Sequence, residues 1–325
     1  MKESSSSKAS KAIVVGSGPN GLAAAITLAE AGIPVTVYER NNITGGACRS
    51  AELIKPGYLH DVGSAIHPLA TASPFFRKLP LQDHGLKWIT PPAALAHPFD
   101  DGTAALVKRS VNETVSMVDR YDQASYQRLM NPMVNKALEI INELMYFPRI
   151  AAHHPLTFLS FGYRAIRSAV GLAESFFAGD RARALIAGLG AHSVMRLEER
   201  GSAAAGLVLA VVAHTTGWSM PEGGSQKITD ALTSYLIKLG GDIITDYEVQ
   251  SLDQLPAYKT LILDVTPYQF INIARRQLPG LYRRKLNNYK YGPGVFKLDW
   301  ILDGPIPWKA KECLEASTVH LGGSL

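Results

Sequence analysis

The sequence has little of the sulfur that disulfide or thiol chemistry requires. Its two cysteines, Cys48 and Cys313, lie far apart, and no Cys-x-x-Cys pair is present. Two distant thiols form no disulfide framework, which is typical of a protein kept in a reducing compartment. The missing Cys-x-x-Cys pair counts against a disulfide reductase, which is one of the large classes of nucleotide-binding protein.

Long apolar runs and dense positive charge are missing as well. The run at residues 203–213 is shorter than the ~18 residues that suggest a membrane span, and it is predicted to be a buried helix. Residues 1–10 are polar and serine-rich, which predicts a disordered tail and neither a signal peptide nor an anchor. The net charge is only +5, with no Lys and Arg cluster among aromatic residues, so no nucleic-acid binding is predicted. His153 and His154 have no acidic or cysteine companions at ligand spacing, so no metal site is predicted.

Arginine recurs among apolar residues between positions 146 and 200. A basic and apolar helical region of this kind can rest on an anionic membrane surface. The simpler interpretation is a pair of substrate-domain helices whose arginines are solvated. The pattern leaves a peripheral membrane contact open.

Residues 11–39 carry the strongest local signal, which is a strand, a glycine turn, a helix and a second strand. Residues 12–15 are all apolar and include two β-branched valines, as a buried parallel strand requires. Gly16, Gly18 and Gly21 follow; they permit a tight turn, a close approach to a pyrophosphate, and packing of the next helix on the strand, respectively. The helix predicted over residues 20–30 would offer free N–H groups and the positive end of its dipole to the phosphates. This run predicts a dinucleotide site.

Two features beyond the helix narrow the choice of dinucleotide. Glu39 ends the strand predicted over residues 33–38, where a carboxylate can accept hydrogen bonds from ribose hydroxyls and would repel the extra phosphate of NADP. The neighbouring Arg40 weakens this argument against NADP, because an arginine can accommodate the extra phosphate. Gly45 and Gly46 form a second glycine turn. A plain nicotinamide dehydrogenase has no evident need of such a turn, whereas the extended FAD molecule meets a second loop, so the sequence favours FAD.

The pattern of Glu39, Gly45, Gly46 and Ser50 resembles the second FAD motif of flavin amine oxidases and phytoene desaturases. Residues 56–67, 218–225 and 291–308 also resemble these proteins. The resemblance is greatest to the phytoene dehydrogenase-like branch of FAD-dependent oxidoreductases, and it runs from about residue 11 to the last residue. Many members have an arginine directly after the glycine pair, whereas this sequence has Ala47 there.

The resemblance implies FAD as the cofactor and suggests roles for individual residues. It assigns the backbone of Val249 to the adenine, and it places His67 near the flavin as an acid or base; an ordinary hydrogen-bonded histidine is the alternative. Relatives end with a third FAD-contacting segment that is absent here, so the flavin site is expected to be incomplete. The predicted cofactor-binding residues are Gly16, Ser17, Gly18, Pro19, Asn20, Gly21, Glu39, Arg40, Gly45, Gly46, Ala47 and Val249.

The predicted fold class is α/β, with a Rossmann-like FAD-binding domain and a discontinuous α+β substrate domain that carries a helical cap. The FAD-binding domain is predicted to take residues 11–75 and 217–266. The substrate domain takes residues 76–216 and 267–325, with an apparent truncation at the C-terminus. Helices are expected at residues 130–144 (with Pro132 near the start), 161–177, 181–189, 203–214 and 226–238, and later strands at 242–252, 259–265 and 296–301.

The leading hypothesis is a desaturase- or dehydrogenase-like FAD-dependent oxidoreductase that transfers hydride from a hydrophobic small-molecule substrate to flavin. The substrate part rests on the resemblance alone. Flavin carries the redox chemistry, so no catalytic triad is required. A flavin amine oxidase, and a truncated non-catalytic flavin-binding or scaffold protein, remain alternatives. A cytoplasmic location is expected, with membrane association left open, and the sequence does not indicate an oligomeric state.

Overall fold

The computed structural model describes residues 12–146 and 152–325. The tail predicted over residues 1–10 lies outside the described residues. Contacts divide the chain into two compact units. Unit 1 comprises the chain up to Ala65, Pro80–Lys87 and Pro221–Asp299, and unit 2 comprises Ile66–Leu79, Trp88–Met220 and Trp300–Leu325.

The elements are numbered along the chain. The strands are β1 (Ala12–Val15), β2 (Val35–Tyr38), β3 (Ser50–Ala51), β4 (His60–Asp61), β5 (Trp88–Ile89), β6 (Ala93–Pro98), β7 (Ala104–Lys108), β8 (Met220–Pro221), β9 (Asp242–Ile244), β10 (Thr260–Leu263) and β11 (Ala316–Val319). The helices are α1 (Pro19–Glu30), α2 (Pro68–Ala72), α3 (Pro74–Lys78), α4 (Val111–Val115), α5 (Gln123–Val134), α6 (Ala137–Met145), α7 (Pro155–Ala165), α8 (Ala169–Phe176), α9 (Asp180–Ala191), α10 (Ser202–Thr215), α11 (Gln226–Lys238), α12 (Pro267–Ile273) and α13 (Gly280–Asn287).

Unit 1 is built on a parallel four-stranded sheet in the order β10-β1-β2-β9. The two central strands, β1 and β2, are buried along their whole length, which explains why their sequences are almost wholly apolar. Helix α1 connects them, and α11 packs beside α1. Because parallel strands point the same way, the residues that follow β1, β2 and β10 meet at one edge of the sheet, where ligands of such sheets bind.

Unit 2 combines a three-stranded sheet with a helical layer. Strand β6 lies between β11, to which it is parallel, and β7, to which it is antiparallel. Helix α10 packs against α9, α8, α7 and α5 and is apolar on all sides, as a central helix must be. This confirms the buried helix predicted at residues 203–213. No helix of the described residues is long and apolar enough to cross a membrane.

Several expected elements differ in the structure for local reasons. The helix predicted over residues 130–144 is two helices, α5 and α6, with Pro132 in the last turn of α5. Proline removes a backbone donor and crowds the preceding turn, so α5 ends soon after it. The helix predicted over residues 161–177 is also two, α7 and α8, and the Ser168 hydroxyl accepts a hydrogen bond from the Gly171 N–H at 3.0 Å to cap α8.

Two predicted strands are wrong in extent or existence. The strand predicted over residues 242–252 ends at Ile244, because Asp246 adopts a left-handed backbone with φ of 54° and turns the chain away. Residues 296–301 form no strand. Phe296 is 87% exposed, and alternation of apolar residues does not make a strand where no neighbour supplies hydrogen bonds.

The contact boundaries also differ from the predicted domain boundaries. Residues 66–75 group with unit 2, where Ala72 of α2 joins the main core. Residues 267–299 group with unit 1, because Ile273 of α12 packs in one buried cluster with Ile13 and Val15 of β1. The assignment of functions to the two parts of the chain stays a prediction.

Candidate dinucleotide site

The first glycine turn leaves β1 and enters α1 with no room for a side chain at Gly16 or Gly21. Gly16 has φ of 103°, and a Cβ there would lie 2.5 Å from the backbone oxygen of Asp264. A Cβ on Gly21 would lie 2.1 Å from the backbone oxygen of Gly16. Gly18, the N-cap of α1, has no side chain to cap the helix and has φ of −62°. No N-cap side chain therefore occupies the first-turn N–H groups, and of these the Gly21 N–H donates to Asp264 Oδ2 at 2.8 Å.

Glu39 lies at the end of β2 and organises this turn. Its Oε2 accepts hydrogen bonds from the Ser17 hydroxyl at 2.6 Å and the Ser17 N–H at 3.1 Å. Its Oε1 accepts from the N–H of Asn41 at 2.9 Å and from its side-chain amide at 2.6 Å. A carboxylate offers about four acceptor positions, and all four are used. A ribose hydroxyl would therefore have to replace one of these bonds.

The charge state of Glu39 follows from the same contacts. The side chain is only 5% exposed, and burial by itself would raise the pKa of the carboxyl group. The hydrogen bonds from Ser17 and Asn41 outweigh burial, so the pKa of Glu39 is lowered and the carboxylate is ionised at neutral pH.

The second glycine turn lies directly against the first. The N–H of Gly45 donates to the backbone oxygen of Ser17 at 3.0 Å. A Cβ on Gly46 would lie 3.5 Å from Cα of Gly18. Gly45 and Gly46 have φ of 128° and 56°, backbone angles that residues with a side chain rarely adopt. The structure therefore brings together the two glycine turns that the sequence singled out.

Three further segments, which the sequence associated only by resemblance, converge beside these turns. The Ser50 hydroxyl donates to Asp61 Oδ1 at 2.6 Å. The same carboxylate oxygen accepts from the Ser225 N–H at 2.6 Å, and the Ser50 oxygen accepts from the Gln226 N–H at 3.1 Å. These polar atoms satisfy N–H groups at the start of α11. They fix that helix to the β3–β4 hairpin next to the second turn.

Asp264 is a site residue that the sequence reasoning missed. It follows β10, and its Oδ2 accepts a hydrogen bond from the Gly21 N–H at 2.8 Å. A Cβ on Gly18 would lie 3.4 Å from that same oxygen. A signal was present, since an acid directly after an apolar strand is the arrangement that drew attention to Glu39.

The other predicted site residues have more varied surroundings. Arg40 and Ala47 are exposed in unit 1, as is Asn20 on α1, which begins at Pro19. Val249 is buried in the hydrophobic cluster that contains Ile13 and Val15 of β1. His67 belongs to unit 2, where it is the N-cap residue of α2 and its N–H donates to the Ser219 oxygen.

Neither a reactive thiol nor a metal cluster accompanies the site. Burial, together with the nearby Asp61 charge, raises the pKa of Cys48 to about 11, so this thiol is protonated and unreactive. Within residues 12–146 and 152–325 no group of three or more His, Cys, Asp or Glu side chains could hold a metal ion.

Comparison with known proteins agrees with this geometry. Residues 14–79 match the family model of the NAD(P)-binding Rossmann-like domain. Over 55 residues the chain is 49% identical to a phytoene desaturase of Neurospora crassa, across 17% of this chain and 9% of that protein. The glycine-turn region of this chain is thus similar in sequence to a phytoene desaturase. The resemblance noted from the motifs and the choice of FAD are thereby confirmed.

Two longer matches extend beyond the glycine turns. The chain is 30% identical over 139 residues to pyridine nucleotide-disulfide oxidoreductase domain-containing protein 2 of Rattus norvegicus, which is 40% of this chain and 24% of that protein. The crystal structure of an oxidoreductase from Methanosarcina mazei has the same fold, with a TM-score of 0.60 and 16% identity over 85% of this chain and 65% of that chain. The predicted fold class is thus confirmed. The matches span less than a quarter of the length of the two curated relatives.

Proposed function

We propose that this chain acts as an FAD-dependent oxidoreductase of the desaturase type, which removes hydride from a hydrophobic substrate. The observation that carries the proposal is the contact between the two glycine turns, in which the Gly45 N–H donates to the Ser17 oxygen at 3.0 Å and a Cβ added to Gly46 would lie 3.5 Å from Cα of Gly18. A second bare backbone surface next to the phosphate turn suits a cofactor that runs on past its pyrophosphate, as FAD does. The name of the Neurospora crassa relative, a phytoene desaturase, supports a hydrophobic substrate.

The residues of unit 1 would each hold one part of the cofactor. The first turn, with Ser17, Pro19 and Asn20 between its glycines, would hold the pyrophosphate at the start of α1. Glu39 would accept from the ribose, with Arg40 and the Val249 backbone beside the adenosine end. Gly45, Gly46 and Ala47 would line the path beyond the pyrophosphate. When bound, FAD supplies the two-electron chemistry of the reaction.

His67 remains the proposed acid or base of the reaction. It would take up or donate the proton that accompanies hydride removal. The variant His67→Gln should lower the rate of substrate-dependent flavin reduction while leaving FAD affinity unchanged. Equal rates for the variant and the wild type would remove this role.

FAD binding is tested first and the class of substrate second. Titration of FAD fluorescence should show saturable binding that Glu39→Gln weakens, whereas Glu30→Gln, an exposed acid on α1, leaves it unchanged. NADP should not compete. A protein that takes up no FAD would refute the proposal.

With FAD bound and oxygen removed, phytoene in detergent micelles should bleach the oxidised flavin band; bleaching by putrescine instead would indicate an amine oxidase.

We also propose a peripheral membrane contact through α7. Leu156, Leu159 and Tyr163, spaced three and four residues apart along one face, are 81%, 67% and 76% exposed, and Arg164 follows them. An apolar helix face next to a cation fits an anionic bilayer surface. Co-sedimentation should be stronger with phosphatidylserine-containing vesicles than with pure phosphatidylcholine. Binding to these vesicles should fall for the double variant Leu156→Ser/Leu159→Ser but not for Leu281→Ser, which replaces an exposed leucine on α13. Equal binding by the wild type and both variants would contradict the membrane contact.

A further inference from the structure

Residues 295–301 have the sequence of a strand and no strand partner. Within the part of the chain that the structure describes, none of their backbone N–H or C=O groups forms a hydrogen bond. The alternating apolar side chains Phe296, Leu298 and Trp300 are 87%, 63% and 71% exposed. A segment with this alternation, free backbone groups and bare apolar side chains can pair with an added strand.

The two charges of this segment define what the added strand must carry. Successive side chains of a strand point to opposite faces, so Lys297 and Asp299 would share the face opposite to Leu298. They form an ion pair within the chain and remain partly exposed, so each can also meet a charge on another strand. A matching strand therefore needs an acid opposite Lys297, a base opposite Asp299 and an apolar residue opposite Leu298.

A second copy of the same segment meets these requirements. When two copies run antiparallel with Leu298 opposite Leu298, each Lys297 lies opposite an Asp299 of the other copy. Pairs of opposite charge and pairs of aromatic or β-branched residues stabilise neighbouring antiparallel strands. The remaining opposed pairs in this register are all apolar, namely Phe296 with Trp300 and Val295 with Ile301.

Other alignments of the two copies lose this match. A parallel pair in register brings each charge beside its own kind, as does an antiparallel pair centred on Lys297 or on Asp299, and like charges directly opposite each other are destabilising. A slip of one residue places Leu298 opposite Asp299 and turns the two apolar faces to opposite sides. One register is therefore favoured, and its two-fold symmetry gives a closed dimer.

We propose that residues 295–301 pair with the same residues of a second copy of this chain, as antiparallel strands with the two-fold axis at Leu298. One positive and one negative charge leave the segment without net charge, which favours neither a nucleic acid nor an anionic membrane as its partner. The inference does not rest on the proposed oxidoreductase function, because neither glycine turn takes part in the pairing.

Charge reversal tests the pairing. Sedimentation velocity of the full chain, with no FAD added, should show a monomer–dimer equilibrium in which the dimer share rises with concentration. Lys297→Asp and Asp299→Lys should each raise the dimer dissociation constant about tenfold or more, because two opposite-charge pairs become two like-charge pairs. Lys290→Asp, which changes an exposed lysine outside the segment, should dimerise as the wild type does.

A mixture of the two reversed variants separates pairing between copies from effects within one chain. A mixed dimer has two acids on one strand opposite two bases on the other, so it should form at concentrations where neither variant dimerises alone. The double variant Lys297→Asp/Asp299→Lys should dimerise as the wild type does. Circular dichroism and thermal unfolding check that every variant is folded.

Three results would overturn the proposal. The wild type could stay monomeric at every concentration, which would leave the segment to a strand of a different protein. The reversed variants could dimerise as the wild type does, or their mixture could stay monomeric although both are folded. Assembly beyond a dimer would likewise contradict a closed pair. Because FAD is left out, a failure of FAD binding would not affect these results.

Discussion

The substitution Gly18→Ala separates cofactor binding from folding. Gly18 has φ of −62°, which alanine adopts without strain, and the atom nearest to an added Cβ is Asp264 Oδ2 at 3.4 Å. At Gly16 and Gly21 a Cβ would instead lie within 2.5 Å and 2.1 Å of backbone oxygens. Of the three glycines in the first turn, Gly18 is thus the one whose side chain the fold tolerates.

The expected effects on stability nearly cancel. A compatible Gly→Ala change stabilises a protein by about 0.4–1 kcal/mol, because the unfolded chain loses freedom. Alanine is a poor N-cap residue, and the loss of a favourable N-cap costs about 0.5–2 kcal/mol, with glycine only a few tenths below the best residues. The net change in the free energy of unfolding should therefore stay within about 1 kcal/mol.

The expected effect on FAD is much larger. A methyl group on Gly18 would stand where the pyrophosphate must approach the backbone, and it would break at least one hydrogen bond to a charged oxygen. Such bonds contribute about 1.5–3 kcal/mol, so the dissociation constant should rise about ten- to hundredfold. Titration of FAD fluorescence measures this change, and urea unfolding measures stability. Unchanged FAD affinity in a folded variant would show that the pyrophosphate does not lie at Gly18.

Three more predictions concern the same site. Glu39→Gln should weaken FAD retention and lower the free energy of unfolding. Because folding lowers the pKa of Glu39, the stability that its carboxylate contributes is present above about pH 4.3 and is lost as pH falls through the folded pKa. Equal free energies of unfolding for the wild type and the variant at pH 7 would contradict this contribution. Asp264→Asn keeps an acceptor for the Gly21 N–H but removes a negative charge beside the expected pyrophosphate, so FAD should bind more tightly at low salt; weaker binding would refute this reasoning. Cys48, whose pKa is raised to about 11, should react with a thiol reagent at pH 8 only after unfolding, and rapid labelling of the native protein would contradict this prediction.

Local sequence was a sound guide wherever neighbouring residues decide the structure. Strand β1 and helix α11 have the predicted limits, residues 12–15 and 226–238. Apolar runs bounded by glycine suffice for such elements. The predictions failed where a single residue overrode the pattern, as at Pro132 and Asp246, or where an alternating segment such as residues 296–301 has no neighbouring strand.

The sequence by itself determined the dinucleotide-binding unit, the preference for FAD and the two glycine turns, because spacing along one strand–helix–strand unit carries that information. Only the tertiary structure decided that Gly45 and Gly46 lie against Gly18, that the Glu39 carboxylate is already fully hydrogen-bonded, and that Asp264 joins the site from 243 positions away. It also decided that His192 and His320, 128 positions apart, lie with their Nε2 atoms 3.0 Å apart. Contacts between distant segments follow from the packing of strands and helices, and no local pattern records which distant polar atoms will meet.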